Sequence, residues 1–248
     1  MSTLEIRSLN KSFGALTVSR DISISIAEGQ CHALIGPNGA GKTTLIHQIS
    51  GVLRPDSGHI LLDGKDITHL SVSRRVQAGL GRTFQITSVL PSFTALENTA
   101  IAAQAKSGSS MRFFRDAAKD AALNESARAT LQRVGLADRA DIPAADLSHG
   151  ELRLLELRIA LAAKPKCLLL DEPMAGLGRS ESTALIALLA ELRGSLPMLL
   201  VEHDMDAIFQ LADTVSVLVD GSVVARGTPD EVRADAAARA AYLGENAA

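Results

Sequence analysis

The chain has 248 residues, of which 46% are hydrophobic and 21% charged, and a formal net charge of −3. This composition excludes wholesale disorder and supports the core of one large α/β domain or two small ones. With no long basic block, nucleic acid is not an expected partner. No apolar run approaches the ~20 residues that span a bilayer, and the opening MSTLEIRSLNKSF is no signal region, so the chain is expected to be cytoplasmic.

Along the chain, Leu4, Ile6 and Leu9, then Ile22, Ile24 and Ile26, alternate with polar residues and predict strands with one buried face. CHALIGPNGAGKTTLIHQIS reads as an apolar strand, a glycine-rich turn and a helix carrying Leu45, Ile46 and Ile49. GHILLDGKDI is a further strand and turn. From about Pro91 to Asp146 the sequence turns Ala-rich with few β-branched residues, the pattern of a helical insertion. KCLLLDEP, PMLLVEHD and TVSVLVDG then read as parallel strands with polar carboxyl ends, where open α/β sheets bind ligands. Cys31 and Cys167 sit in such apolar runs and read as core thiols rather than redox or metal groups. The tail EVRADAAARAAYLGENAA reads as a short helix and a frayed end.

The glycine-rich turn, Gly36, Pro37, Asn38, Gly39, Ala40, Gly41, Lys42 and Thr43, matches the phosphate-loop pattern in its proper setting between strand and helix. Its glycines allow backbone N–H groups to turn toward phosphates, and the helix N-terminus favours negative charge. Lys42 reaches the β and γ phosphates, Thr43 offers its hydroxyl to Mg²⁺ and Thr44 contacts an adjacent phosphate. A carboxylate at the end of a neighbouring strand is needed for the metal. Asp171 fills that position, and Glu172 projects onward toward an attacking water.

Many nucleotide-driven machines share these two elements. The discriminating segment is Leu147, Ser148, His149, Gly150 and Glu151, about twenty residues before Asp171, which resembles the LSGGQ signature of ABC ATPases. On its own chemistry, this turn is either an anion ligand or a helix N-cap. In GRTFQ, Gln85 resembles the glutamine that touches metal or water and links to the membrane subunit. His203 resembles the switch histidine at the γ-phosphate. Phe13 resembles the aromatic on which adenine stacks, although a strand Phe is also a common core residue. Ala175, Gly176, Leu177 and Gly178 stand where the family carries the S-A-L-D of its D-loop, and lack the acidic end.

Taken with DEPMAGL, VEHDM and AYLGE, these segments make the chain most similar to the LivG-type ATPases of branched-chain amino acid uptake, with urea-uptake relatives alongside. His149 replaces the first glycine of the general signature, and Glu151 replaces its glutamine. The resemblance implies one ABC ATPase domain across residues 1–248. It consists of a P-loop NTPase core at 1–87 and 161–248 with an antiparallel β subdomain, and a helical subdomain at 88–160. ATP and Mg²⁺ are the implied cofactors, with Thr43, Gln85 and Asp171 about the metal and Gln85, Glu172 and His203 catalytic. Also implied are membrane permease subunits, a second ATPase subunit whose signature completes each site, a periplasmic solute-binding protein, and a place on the cytoplasmic face of the inner membrane. Ile86, Val89, Leu90 and Phe93 are expected as a helical, exposed apolar stretch that a permease covers. A non-transport ABC protein or a kinase is the alternative; the first usually carries long coiled coils or two cassettes, and the second leaves LSHGE and His203 without a role.

Overall fold

A computed structural model describes residues 2–83, 89–106, 121–132 and 136–240. Gln85, Ile86 and the AYLGE segment lie outside the described residues.

The alternating opening forms β1 (Ser2–Phe13) and β2 (Leu16–Ala27), an antiparallel hairpin turned at Gly14, where φ is 59°. With β4 (Ser57–Leu62) and β5 (Lys65–Asp66) it makes a four-stranded sheet ordered β2-β1-β4-β5. Leu4, Ile6, Leu9, Ile22, Ile24 and Ile26 all face inward and are buried. A fully buried aliphatic side chain of this kind contributes about 1.5–3 kcal/mol.

The second sheet runs β10-β9-β3-β8-β7-β6, with β3 (Cys31–Ile35), β6 (Leu80–Arg82), β7 (Cys167–Asp171), β8 (Met198–Val201), β9 (Thr214–Val219) and β10 (Ser222–Gly227). All neighbours are parallel except β9 and β10. Every residue of β3, β7 and β8 is buried, as the uninterrupted apolar runs predict for strands covered on both faces. Burial lifts the thiols of Cys31 and Cys167 to about 12, which keeps both protonated in the core.

Helix α1 (Lys42–Ser50) packs Leu45, Ile46 and Ile49 between the two sheets, in one cluster with Ile24, Leu34 and Leu169. On the other face of the parallel sheet, α5 (His149–Ala162) and α6 (Arg179–Leu192) cover Leu168, Leu170 and Leu200. The described part of the helical insertion holds α3 (Ala95–Lys106), α4 (Ala121–Gln132) and 3₁₀ turns at Ala137–Arg139 and Ala144–Asp146. Its separate core includes Val89, Leu96, Leu131, Leu147 and Leu155. Leu155 belongs to that core while Leu157 belongs to the sheet cluster, so α5 spans both bodies as one continuous helix. Helix α2 (Val72–Ala78) precedes β6 and α7 (Met205–Leu211) follows β8; in the tail, α8 (Pro229–Ala234) and α9 (Ala236–Ala238) bury Val232 and Ala238 against β9.

One expectation needs correction. Residues 89–94 are irregular rather than helical, and Val89 is buried in the helical-insertion core, whereas Leu90 and Phe93 are 45% and 40% exposed. The Asn98 side chain explains the shape: it accepts from the Leu90 N–H and donates to the carbonyls of Leu90, Phe93 and Thr94, holding the segment in a turn before α3 begins.

Candidate functional site

The carboxyl ends of β3, β8 and β7 lie level, because Leu34 pairs with Val201 and Asp171 also pairs with Val201. The residues that follow, Gly36, Glu202 to His203, and Asp171 to Glu172, therefore emerge along one edge of the sheet. This is where the parallel arrangement places ligands.

From β3 the chain enters the phosphate loop and turns into α1 at Gly41, whose φ is 103°. A Cβ at Gly36 would meet the Leu218 carbonyl oxygen at 2.1 Å, and one at Gly41 would meet that of Val18 at 2.5 Å. Glycine is thus imposed both by backbone conformation and by a loop wedged between β9 and β2. Lys42 is buried, and its Nζ donates to the carbonyls of Gly36 at 2.7 Å and Pro37 at 3.0 Å. Burial lowers its pKa, while the charges of Glu172 and Asp171 pull it back up. Pro37, Asn38 and Gly39 form the loop, Ala40 is buried beneath it, and Thr43 and Thr44 occupy the first turn of α1.

Asp171 ends β7 and is 2% exposed, and neither of its carboxylate oxygens has a hydrogen-bond partner among the described residues. Burial raises its pKa, the Arg82 guanidinium 3.5 Å away opposes this, and Glu172 adds to the rise. A buried carboxylate whose contact with Arg82 is long, and which makes no shorter bond among the described residues, fits a cation ligand. Arg82 also donates to Ser50 Oγ at 2.9 Å, which ties β6 to the end of α1.

Glu172 stands in left-handed backbone at φ 48°, held by its N–H donating to the Val201 carbonyl at 2.9 Å. A non-glycine residue there costs about 1–2 kcal/mol, a strain that collects at functional positions. His203 is exposed and its Nδ1 is 3.7 Å from Glu202. Glu202 itself is 1% exposed: its Oε1 accepts from Met174 N–H at 2.8 Å, and its Oε2 from His203 N–H at 2.9 Å and Asp204 N–H at 3.3 Å. One carboxylate thereby braces both the segment after Glu172 and the loop of His203. Sequence reading passed over Glu202 and Arg82; the signal was present in an acid directly after a four-residue buried strand and in the Arg of GRTFQ.

At the tip of the β1–β2 hairpin, Phe13 is 52% exposed, with Lys11 Nζ 5.4 Å from its ring centroid, so it is not a core residue. Ser148 caps α5: its Oγ accepts from Glu151 N–H at 3.2 Å, and Glu151 Oε2 accepts from Ser148 N–H at 2.8 Å. That bond uses the Ser148 hydroxyl as acceptor and leaves its O–H able to donate, so cap and anion ligand are compatible roles. The Ser148 N–H, then Arg139, lower the Glu151 pKa. Leu147 is buried, His149 exposed, and Gly150 buried beside Glu181. Lys42, Asp171 and Glu172 share one electrostatic neighbourhood, while the signature turn has Gly176, Leu177 and Glu181 for neighbours. Gln85 lies outside the described residues.

Residues 19–175 match the family description ABC transporter, and residues 222–248 match branched-chain amino acid ATP-binding cassette transporter. The chain is 35% identical over 251 residues to the high-affinity branched-chain amino acid transport ATP-binding protein BraF of Pseudomonas aeruginosa, covering 98% of each. Against the corresponding protein LivG of Escherichia coli (strain K12) it is 34% identical over 249 residues, again with 98% of each covered. A crystal structure of the ADP conformation of MJ1267, an ATP-binding cassette of an ABC transporter, superposes with a TM-score of 0.87 at 30% identity, covering 98% of this chain and 99% of that one. Phosphate loop, strand-end carboxylates and signature thus stand on a cassette fold matched from end to end, and the chain belongs to the ATP-binding cassette family as a transporter ATPase that binds ATP.

Proposed function

We propose that this chain powers an importer of branched-chain amino acids, acting with separate membrane permease subunits, a second ATPase subunit and, indirectly, a periplasmic solute-binding protein. The observation that carries the reading is the likeness over 98% of both chains to BraF. No described helix is long and apolar enough to cross a membrane, which agrees with a peripheral subunit at the inner-membrane face that relies on permease chains. Residues 1–87 and 161–248 form the ATP-binding core in this reading, and 88–160 the helical subdomain. Exposed Leu90 and Phe93 offer the permease an apolar contact.

Within the site, the phosphate loop from Gly36 to Gly41 and Lys42 hold the phosphates, Thr44 assists, and Phe13 stacks on adenine. Thr43, Asp171 and Gln85 hold Mg²⁺, which neutralises phosphate charge when bound. No cluster of three or more His, Cys, Asp or Glu ligands exists among the described residues. A single buried carboxylate is consistent with Mg²⁺, which takes its remaining ligands from waters and substrate phosphates. Glu172 orients the attacking water and accepts its proton, and His203 contacts the γ-phosphate. Leu147 to Glu151 face the ATP held by the second subunit, so each site is split between chains. That Lys42 has Glu172 and Asp171 for neighbours, whereas the signature turn packs beside Glu181 and Gly176, supports the split.

The test is leucine uptake by the complete transporter carrying Glu172→Gln. Binding of ATP should persist, while hydrolysis and uptake fall by about 10²–10⁴-fold, the usual worth of a general base. Leucine uptake that is unaffected by deleting the chain overturns the transport reading, and near-normal hydrolysis in the variant overturns the role of Glu172.

A further inference from the structure

The signature turn and the segment after Glu172 are keyed to each other at two points. Gly150, in the first turn of α5, lies so close to Glu181 that a Cβ on it would meet the Glu181 Oε1 at 2.3 Å. The other oxygen of the same carboxylate, Oε2, accepts from Gly178 N–H at 3.0 Å at the start of α6. In the same segment, Gly176 is at φ 77° and a Cβ on it would meet His149 Nε2 at 3.1 Å. The left-handed backbone at Gly176 favours glycine, and a Cβ there would press on the tip of the His149 ring. Gly178 is the position at which this chain lacks the acidic residue its D-loop resemblance calls for, and it is also the N-cap of α6.

We infer that Glu181 is a positioning residue for ATP hydrolysis: its carboxylate holds the Gly178 N–H at the start of α6 and, packed against Gly150, sets the signature turn, with His149 over Gly176 as the second key. Glu181 touches no reacting atom. Its effect passes through Ser148 and Gly150 to the ATP of the second subunit, so the inference rests on the split-site reading. Glu181 stands at the third position of α6 and accepts the N–H of the N-cap residue, the half of a capping box that does not depend on a side chain at 178.

The experiment compares ATP binding by the full chain alone with kcat/KM for ATP hydrolysis by the complete transporter. For Glu181→Ala, binding by the isolated chain should stay within about twofold, since its phosphate loop is untouched, while transporter kcat/KM falls about fivefold or more, as a displaced positioning turn predicts. Glu181→Gln, which keeps an oxygen for the Gly178 N–H and the contact with Gly150, should retain most of the activity. Ser148→Arg serves as control: if it leaves kcat/KM unchanged, the split-site reading fails; if it abolishes hydrolysis while Glu181→Ala does not lower it, the present inference fails alone. Equal loss of ATP binding and hydrolysis in Glu181→Ala would show a merely structural role and overturn it too. Should Glu181→Ala not fold, the second key decides. Gly176→Ala should lower kcat/KM more in a chain with His149 than in a chain with His149→Gly, and equal losses in both overturn the coupling.

Discussion

Replacing Glu202 by Gln tests whether a buried carboxylate holds two active-site segments in register. In the native chain three backbone N–H groups donate to it, at 2.8, 2.9 and 3.3 Å. Hydrogen bonds to a charged acceptor are worth about 1.5–3 kcal/mol each, and the longest is the weakest. Against this stands the desolvation of a carboxylate that is 1% exposed, several kcal/mol that its replacement relieves. Gln keeps one oxygen and turns an NH₂ toward the other donors, so it loses one or two of the three bonds and sets donor against donor. The balance is a loss of about 2 kcal/mol, read as a fall of about 4–8 °C in the unfolding midpoint of a chain this size. Activity should suffer more than stability. Met174 lies two residues beyond Glu172 and His203 directly follows Glu202, so a displacement near 1 Å affects both and costs about 10² in kcat. Thermal melts and steady-state hydrolysis by the transporter measure the two effects separately. A Glu202→Gln chain with the native midpoint and native kcat would falsify the bracing role.

Three other outcomes are expected. His32 is wholly buried, bonded through Nε2 to Ser216 Oγ, and burial, with Arg226, lowers its pKa from 6.5 to about 3. The unfolded chain then binds more protons between these values, so the His32 contribution is complete above pH 6.5 and declines as pH falls. At pH 5 the loss is about 2 kcal/mol, and His32→Gln should flatten that slope in urea titrations; an unchanged slope refutes it. Leu90→Asp or Phe93→Asp should leave folding and ATP binding intact while leucine uptake drops, whereas Val89→Asp, buried at 8% exposure, should lower stability by more than about 3 kcal/mol in the same melts. Uptake at the native rate in both exposed variants removes the docking reading. Finally, because Glu172 occupies φ 48°, Glu172→Gly should be about 1 kcal/mol more stable than Glu172→Ala although both are inactive, and the reverse order would contradict backbone strain there.

What the sequence made legible was local chemistry. The phosphate loop could be read because its glycines, Lys42 and Thr43 act within eight consecutive residues, between a strand and a helix whose periods differ. The strand end at Asp171 was legible for the same reason, an uninterrupted apolar run that stops at a polar residue; His203, one residue past the Glu202 that ends its run, was legible only through the family resemblance. Contacts between distant residues were not. Glu202 accepts from Met174, 28 residues earlier, and Glu181 lies under Gly150, so neither role leaves a pattern in its own neighbourhood. Val89 and Phe93 show the limit for apolar residues. Outside a helix or strand no period says which of them turns inward, and the Asn98 bonds that fix the turn come from a residue that reads as an ordinary helix polar position.

The left-handed residue at 172 connects these levels. With its N–H on the Val201 carbonyl and its backbone left-handed, Glu172 turns the chain out of β7 directly after the buried Asp171. An extended residue at that point would continue the strand and carry Met174 away from Glu202. The strain of about 1–2 kcal/mol at Glu172 is offset by the bonds it makes possible, those of Glu202 to Met174 and of Glu181 to Gly178. Each of those bonds fixes one end of the short segment between Glu172 and α6. A cassette whose D-loop lacks its acidic end can still hold that segment, because the carboxylates come from outside it, from the end of β8 and the first turn of α6.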